Sequence, residues 1–146
     1  MEEQFIEFLK NEKSLADKLL ALSEKLREAL MKYDKNLVEK ISESQHHIAV
    51  KLKEMEEMRI RFLVTQFKIS RMDASKLKLS EIEDKFSNEI RVEIKKIRIA
   101  MKRIAKQLAE VNSENRILSN KAKNSVNSII TQLDLNSSRK VCDVTV

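Results

Sequence analysis

Few side chains in this sequence have the types and spacing that catalysis or metal binding requires. His46 and His47 are the only histidines, and neighbours on a helix point about 100° apart, so the pair cannot hold one metal ion together. The carboxylates of Glu54 and Glu57 share a helix face, but no apolar surroundings are predicted that would make either a general acid. Cys142 is the only cysteine, which excludes an intramolecular disulfide and disfavours a thiolate metal site. We therefore expect no enzymatic activity, no metal and no cofactor.

The composition favours an elongated all-helical protein. The 146 residues include no glycine and no proline, while 36% are charged and 4% aromatic. Glycine supplies the positive φ angles of tight turns and phosphate loops, and proline interrupts helices. The sequence therefore excludes glycine-rich nucleotide sites and disfavours folds rich in turns.

The first half of the chain carries a helical apolar stripe. Steps of three and four residues, typical of a coiled-coil seam, connect Phe5, Phe8, Leu15, Leu19, Leu22, Leu26, Ala29 and Tyr33. Glu12 is the one polar residue on this stripe, and the register slips after Tyr33, where Asp34 can cap a new helix. The pattern predicts either two helices, over about 3–33 and 35–67, or one long helix kinked near Asp34.

The periodicity is lost between residues 68 and 80, where we place a connection with a short helix over about 73–86. Asp73 is a candidate cap for one helical turn there, and Ser80 with Glu83 has the form of a capping box.

A second seam predicts a long last helix over about 88–134. It runs through Ile90, Ile94, Ile97, Met101, Ile104, Leu108, Val111, Asn115, Leu118 and Ala122. Asn115 occupies an a position of the heptad repeat, where a buried polar side chain sets the register of paired helices.

These segments predict one all-α domain over residues 1–135 and a flexible tail over 136–146. The expected architecture is an elongated antiparallel helical bundle or coiled coil of three to four long helices, with the first and last segments antiparallel. Extra apolar residues flank both seams, so the bundle needs a further partner: a folded-back segment, a second copy of the chain, or a client protein.

The net charge of +6 includes one strongly basic stretch, from Arg91 to Lys106, with seven basic residues against Glu93 alone. No aromatic residue lies there to stack on bases, so we interpret it as a solvated helix face and do not expect nucleic-acid binding. The acidic start of the chain and the absence of a long apolar run predict a cytoplasmic protein without a signal peptide or membrane span.

The order of several segments resembles the FlgN family of flagellar export chaperones over about residues 5–133. The segments are NEKSL (11–15), REAL (27–30) before the break at Asp34, LKEMEEMR (52–59), ISRMDA (69–74) and LAEVNSENRIL (108–118). The family often has Gly-Asp at the break, where this chain has Tyr33 and Asp34.

The resemblance implies a non-catalytic chaperone of type III flagellar export. Such proteins hold helical terminal segments of hook–filament junction proteins, prevent their premature assembly and deliver them to the export gate. The implied partners are these junction proteins, the export apparatus and, as a possibility, a second copy of the chain. On this chain we expect client binding at Val111, Asn115, Leu118, Ala122, Val126, Ile129, Ile130 and Leu133. The alternative is a structural or tethering homodimeric coiled coil without a client.

Overall fold

The chain folds into a bundle of three long helices with two short ones between the second and third. The computed structural model describes the backbone of residues 1–145 and the side chains of residues 1–134. Its helices are α1 (Glu2–Met31), α2 (Lys35–Phe67), α3 (Arg71–Lys76), α4 (Leu79–Glu83) and α5 (Asn88–Thr145), and the described residues include no strand. The predicted all-α helical bundle is therefore confirmed.

The first segment consists of two helices rather than one kinked helix. Tyr33 adopts a left-handed φ of 54°, which is uncommon for a residue with a Cβ atom and ends α1. The side chain of Asp34 then accepts a hydrogen bond of 3.2 Å from the backbone N–H of Leu37 and caps α2, as predicted. Helix α2 runs antiparallel to α1, because Gln45 contacts Ser23 and Arg59 contacts Glu12.

Helix α5 runs parallel to α1 and antiparallel to α2. The backbone N–H and hydroxyl of Ser87 donate hydrogen bonds of 3.0 and 2.9 Å to the carboxylate of Glu2, and these bonds lower the pKa of Glu2. Near the other end of α1, Arg27 contacts Glu114 at 3.0 Å. The sequence predicts that the first and last segments run antiparallel. This is correct for α2 and α5 but wrong for α1 and α5, because the connection returns the chain to the end of the bundle where α1 begins.

The connection contains two short helices where one was predicted over 73–86. Ser70 caps α3 by accepting a hydrogen bond from the backbone N–H of Asp73, so Asp73 lies inside this helix and is not its cap. Helix α4 begins after Lys78, whose backbone N–H donates to the Glu81 carboxylate at 2.9 Å. The prediction of a capping box between Ser80 and Glu83 is therefore wrong. Glu83 instead contacts Arg98 at 3.0 Å.

The core lies at the end of the bundle where α1 and α5 begin and α2 ends. Phe5 stacks between Phe62 and Phe86, with ring centroids 5.6 and 4.9 Å away. Leu9 and Leu63 are fully buried in the same cluster. This aromatic end, which we call the closed end, fixes where the three long helices start and stop relative to one another. Helix α5 continues to Thr145, although the sequence predicts that it ends near residue 134. The backbone of the predicted flexible tail over 136–146 is therefore helical as far as Thr145, and its side chains lie outside the described residues.

Candidate functional site

Helix α5 is much longer than the helices it packs against. At 1.5 Å per residue, the 30 residues of α1 span about 45 Å and the 58 residues of α5 about 87 Å. Both helices start at the closed end, so α5 must continue beyond the corner between α1 and α2. The side chains of residues 123–134 are all exposed. We call this part of α5, from residue 123 onward, the overhang.

The structure divides the eight candidate client-binding residues into an inner and an outer group. Val111 and Asn115 are buried against α1, at 7% and 6% exposure, and Leu118 and Ala122 are half-buried. The outer group lies on the overhang with between 50% and 59% of its surface exposed: Val126, Ile129, Ile130 and Leu133. Packing against α1 therefore buries Val111 and Asn115 and leaves the four outer residues uncovered.

The four outer residues form one continuous apolar face, which we call the outer stripe. Their spacing is i, i+3, i+4 and i+7, so they follow one side of the helix over two turns. An apolar helix face normally packs against another element, and a contiguous exposed patch of large aliphatic side chains is typical of an interaction site. The outer stripe can therefore accept a helix that brings its own apolar face.

A cleft connects the outer stripe with the corner of the bundle. It has a volume of about 500 Å³ and is mostly apolar. From the corner it is lined by Leu30, Tyr33 and Val38, and from α5 by Ala122 and Val126. Val126 belongs both to this cleft and to the outer stripe, so the two surfaces are continuous.

Sequence reasoning missed the contribution of the corner. Leu30 and Val38 lie beside the seams as extra apolar residues, and Tyr33 lies at the register slip, but periodicity does not show which helix they face. In the structure they lie opposite Ala122 and Val126. The signal that could have located them is the difference in length between the predicted first and last helices.

A buried polar layer fixes the alignment of the three long helices just before the cleft. The Asn115 Nδ2 donates a hydrogen bond of 2.9 Å to the backbone oxygen of Ser23, and Gln45 Nε2 donates one of 3.0 Å to the Ser23 hydroxyl. Within the described part of the chain the Asn115 Oδ1 is buried and accepts no hydrogen bond. A shift of α5 along its axis would break the Asn115 hydrogen bond. This layer therefore holds the overhang at a fixed axial position relative to the corner between α1 and α2.

A charged pair inside the bundle joins two of its long helices. Glu12, the polar residue on the first stripe, is buried and accepts a hydrogen bond of 2.9 Å from the guanidinium of Arg59. Burial raises the pKa of Glu12, and the nearby Arg59 charge opposes this shift. The pair therefore joins α1 to α2 at the stripe position where an apolar residue was expected.

The described residues offer no alternative site for metal chemistry. Among residues 1–134, no three side chains of His, Cys, Asp or Glu come together where they could hold a metal ion. His46 and His47 lie exposed on α2 with ring centroids 6.5 Å apart. None of the helices described here is long and apolar enough to span a membrane. The exposed apolar side chains of the cleft and the outer stripe are what a surface needs to bind another polypeptide by burial of apolar area.

Comparison with known proteins places most of the chain in one family. The family model described as FlgN protein matches residues 1–140, which include the first four helices, most of α5 and the outer stripe. No curated protein and no solved structure matches the chain significantly. Because the family match covers nearly all of the 146 residues, the chain belongs to the FlgN family of flagellar export chaperones.

Proposed function

We propose that the outer stripe and the adjoining cleft bind a helical terminal segment of a flagellar hook–filament junction protein. In this role the protein covers the apolar face of the segment in the cytoplasm, prevents its premature assembly, and delivers it to the type III export gate. Family membership supports the general chaperone role. The observation that carries the proposal is the continuous apolar surface that α5 exposes beyond the corner.

Helix-in-groove binding explains how this surface would recognise its client. An amphipathic client helix would lie along the outer stripe with apolar residues at intervals of three and four, and would reach the cleft at Val126. Complete burial of an aliphatic side chain contributes about 1.5–3 kcal/mol, and each of the four outer residues is still about half exposed. Their remaining exposed surface therefore represents roughly 3–6 kcal/mol before the entropic costs of binding.

The inner pair, Val111 and Asn115, has a supporting role in this proposal. Both side chains are buried against α1, so a client could contact them only if α5 moved away from α1. We assign them to holding α5 in register, and we assign client contact to Ala122 and the outer stripe. Leu118 lies half-buried between the two groups and packs at the edge of the corner.

Co-purification of the full chain with the terminal segments of junction proteins tests the proposal. We expect a stable complex of one chaperone with one terminal segment, and no complex when the helical termini of the junction protein are removed. The alternative function, a homodimeric tether, predicts that the outer stripe is covered by a second copy at working concentration. A constitutive dimer that does not exchange for the terminal segment would contradict the proposed function.

A further inference from the structure

The outer side of α5 within the bundle carries a dense group of cations, which we call the basic face. Its charged members are Lys95, Lys96, Lys102, Arg103 and Lys106. All five are exposed, and none forms an ion pair with another described residue. The two remaining cations of the stretch are already paired, Arg91 with Asp84 and Arg98 with Glu83.

Two large aliphatic residues lie among these cations. Val92 and Ile99 are seven residues apart and therefore occupy the same side of the helix, with 54% and 55% of their surface exposed. They point away from the core, because Ile94, Ile97 and Ile104 on the opposite side are buried. Nothing in the described part of the chain covers them, since α5 packs only against α1 and α4.

The cations flank this aliphatic pair on both sides. With 100° between successive residues, Lys95 and Lys102 lie to one side of Ile99, and Lys96 and Arg103 lie to the other. Val92 and Ile99 repeat at heptad spacing and supply one of the two apolar positions that each heptad of a helix-pairing seam contains, and in such seams the flanking charges choose the partner. Pairs of like charge one turn apart, such as Lys102 with Lys106, are unfavourable when no anion is present.

We infer that the basic face is a second docking surface, which binds an acidic amphipathic helix of a partner protein. Val92 and Ile99 would contact aliphatic residues of that helix, and its flanking glutamates or aspartates would pair with the cations. The basic face ends at Lys106, and Val126 begins the outer stripe 20 residues later, which is about 30 Å along the helix. One chaperone molecule can therefore hold a client and this partner at the same time, and the inference does not rest on the proposed function.

The other anionic candidates fit this surface less well. Single-stranded nucleic acid would be expected to find aromatic side chains for stacking, and residues 91–106 contain none. A helix that lies on a membrane separates its apolar face from its basic face, whereas here the aliphatic pair lies between the cations.

A second copy of the chain does not offer a complementary surface on α2. Two exposed apolar residues there, Val50 and Met58, lie beside the cations Lys53 and Arg61 as well as beside Glu54 and Glu57. Glu57 is moreover already paired with Arg71, within 2.6 Å. This part of α2 carries both positive and negative side chains, so it would not neutralise the basic face of a second copy.

A synthetic helix tests the inference on the full chain. The probe is a peptide of about three heptads with leucine at the apolar positions and glutamate on both flanks, and its control has the same composition in scrambled order. Binding is followed by fluorescence anisotropy at two salt concentrations. We expect the patterned peptide to bind at least about tenfold more tightly than the scrambled one, and to weaken as salt increases.

Charge reversal on the chain provides a matched comparison. The double variant Lys95→Glu/Lys102→Glu should weaken binding of the patterned peptide by about tenfold or more. The control, Lys18→Glu/Lys25→Glu, makes the same charge change at the same spacing on exposed positions of α1 and should leave binding unchanged. A peptide with lysine on the flank that faces residues 95 and 102, and glutamate on the other flank, should bind the first variant more tightly than the second. Ile99→Ser should weaken binding severalfold without changing its salt dependence.

Four results would overturn the inference. The first is equal binding of the patterned and scrambled peptides, and the second is equal loss in both charge-reversal variants. Either would show that only net charge matters. The third is tighter binding to duplex DNA or to phosphatidylglycerol vesicles than to the patterned peptide, with loss in the Lys95→Glu/Lys102→Glu variant. The fourth is self-association of the chain that this variant abolishes while the peptide fails to bind.

Discussion

Replacement of Ile129 by aspartate tests the role of the outer stripe most directly. Ile129 lies in the middle of the stripe and is 58% exposed, so burial under a client helix would remove the remaining surface from water. That surface represents about 1–2 kcal/mol, from about 1.5–3 kcal/mol for a whole isoleucine side chain. An aspartate there would also have to lose its hydration or take up a proton without a partner, which adds at least about 1–3 kcal/mol. We expect Ile129→Asp to weaken client binding by about 100-fold, or roughly 3 kcal/mol.

The same change should leave the folded protein intact. Because Ile129 lies on the overhang and contacts none of the buried core residues, its replacement should alter the free energy of unfolding by no more than about 0.5 kcal/mol. Circular dichroism during urea denaturation measures this quantity, and titration with a fluorescent terminal peptide of a junction protein measures affinity. The variant is thus expected to separate binding from folding.

Ile117→Asp is the matched control for this experiment. Ile117 is also an isoleucine of α5, its exposure is 53%, and it lies nine residues before Val126, which is two and a half turns and therefore the opposite side of the helix. We expect its affinity for the peptide to stay within about twofold of the unmodified chain. Equal losses in both variants, or full affinity in Ile129→Asp, would refute the assignment of the client site to the outer stripe.

Three further predictions concern the scaffold. Asn115→Leu should raise the urea midpoint of unfolding, because it removes a buried polar group with an unpartnered oxygen. It should also broaden the amide signals of α5 in NMR spectra, because the register of the helix is then less defined. A lower urea midpoint would contradict this prediction. Arg59→Ala should lower the free energy of unfolding at pH 7 by about 3 kcal/mol, since it leaves the Glu12 carboxylate buried without its partner. Because burial raises the pKa of Glu12, the folded state binds a proton at this carboxylate more readily than the unfolded state does. The destabilisation caused by Arg59→Ala should therefore shrink as the pH falls through the folded-state pKa of Glu12. Urea titrations at several pH values measure this trend, and a loss of stability that does not change with pH would contradict it. Phe5→Ala should lower the free energy of unfolding by about 3–5 kcal/mol by opening a cavity between two stacked rings, and a loss below about 1 kcal/mol in calorimetry would contradict the assigned core.

The sequence predicts the long helices well because their signals are repeated many times. The register slip at Tyr33 coincides with the end of α1, and Asp34 caps α2 because its short carboxylate can reach a free backbone N–H at the start of a helix. The left-handed conformation of Tyr33 is not visible in the sequence, since glycine normally marks such a position and this chain has none.

Short helices are harder to predict because several side chains compete to cap them. Ser70, Asp73 and Ser80 all have suitable oxygens, and the sequence does not rank them. Tertiary contacts decide: Glu83 contacts Arg98 of α5, so it is not available for the capping box expected with Ser80. A local pattern therefore gives the correct region for the connection but the wrong cap.

The candidate site shows the same limit on a larger scale. Periodicity identifies Val111 and Ile129 equally well as apolar positions of one long helix, but it does not show what covers each. Val111 is buried because α1 runs beside it, and Ile129 is exposed because α1 has already ended at Met31. Only the relative lengths and starting points of α1 and α5 distinguish the two residues.

The unequal lengths of the helices give this protein a modular construction. The aromatic rings that hold the bundle together lie at the closed end, and none of the core residues there comes from beyond Met101. Substitutions on the overhang should therefore leave the packing of the closed end intact, and under the proposed function they would change client preference. Addition or removal of whole helical turns there would likewise change only how far α5 extends beyond the corner. Under the proposed function, a single continuous helix would thus combine a region that holds the fold together with a region that contacts the client.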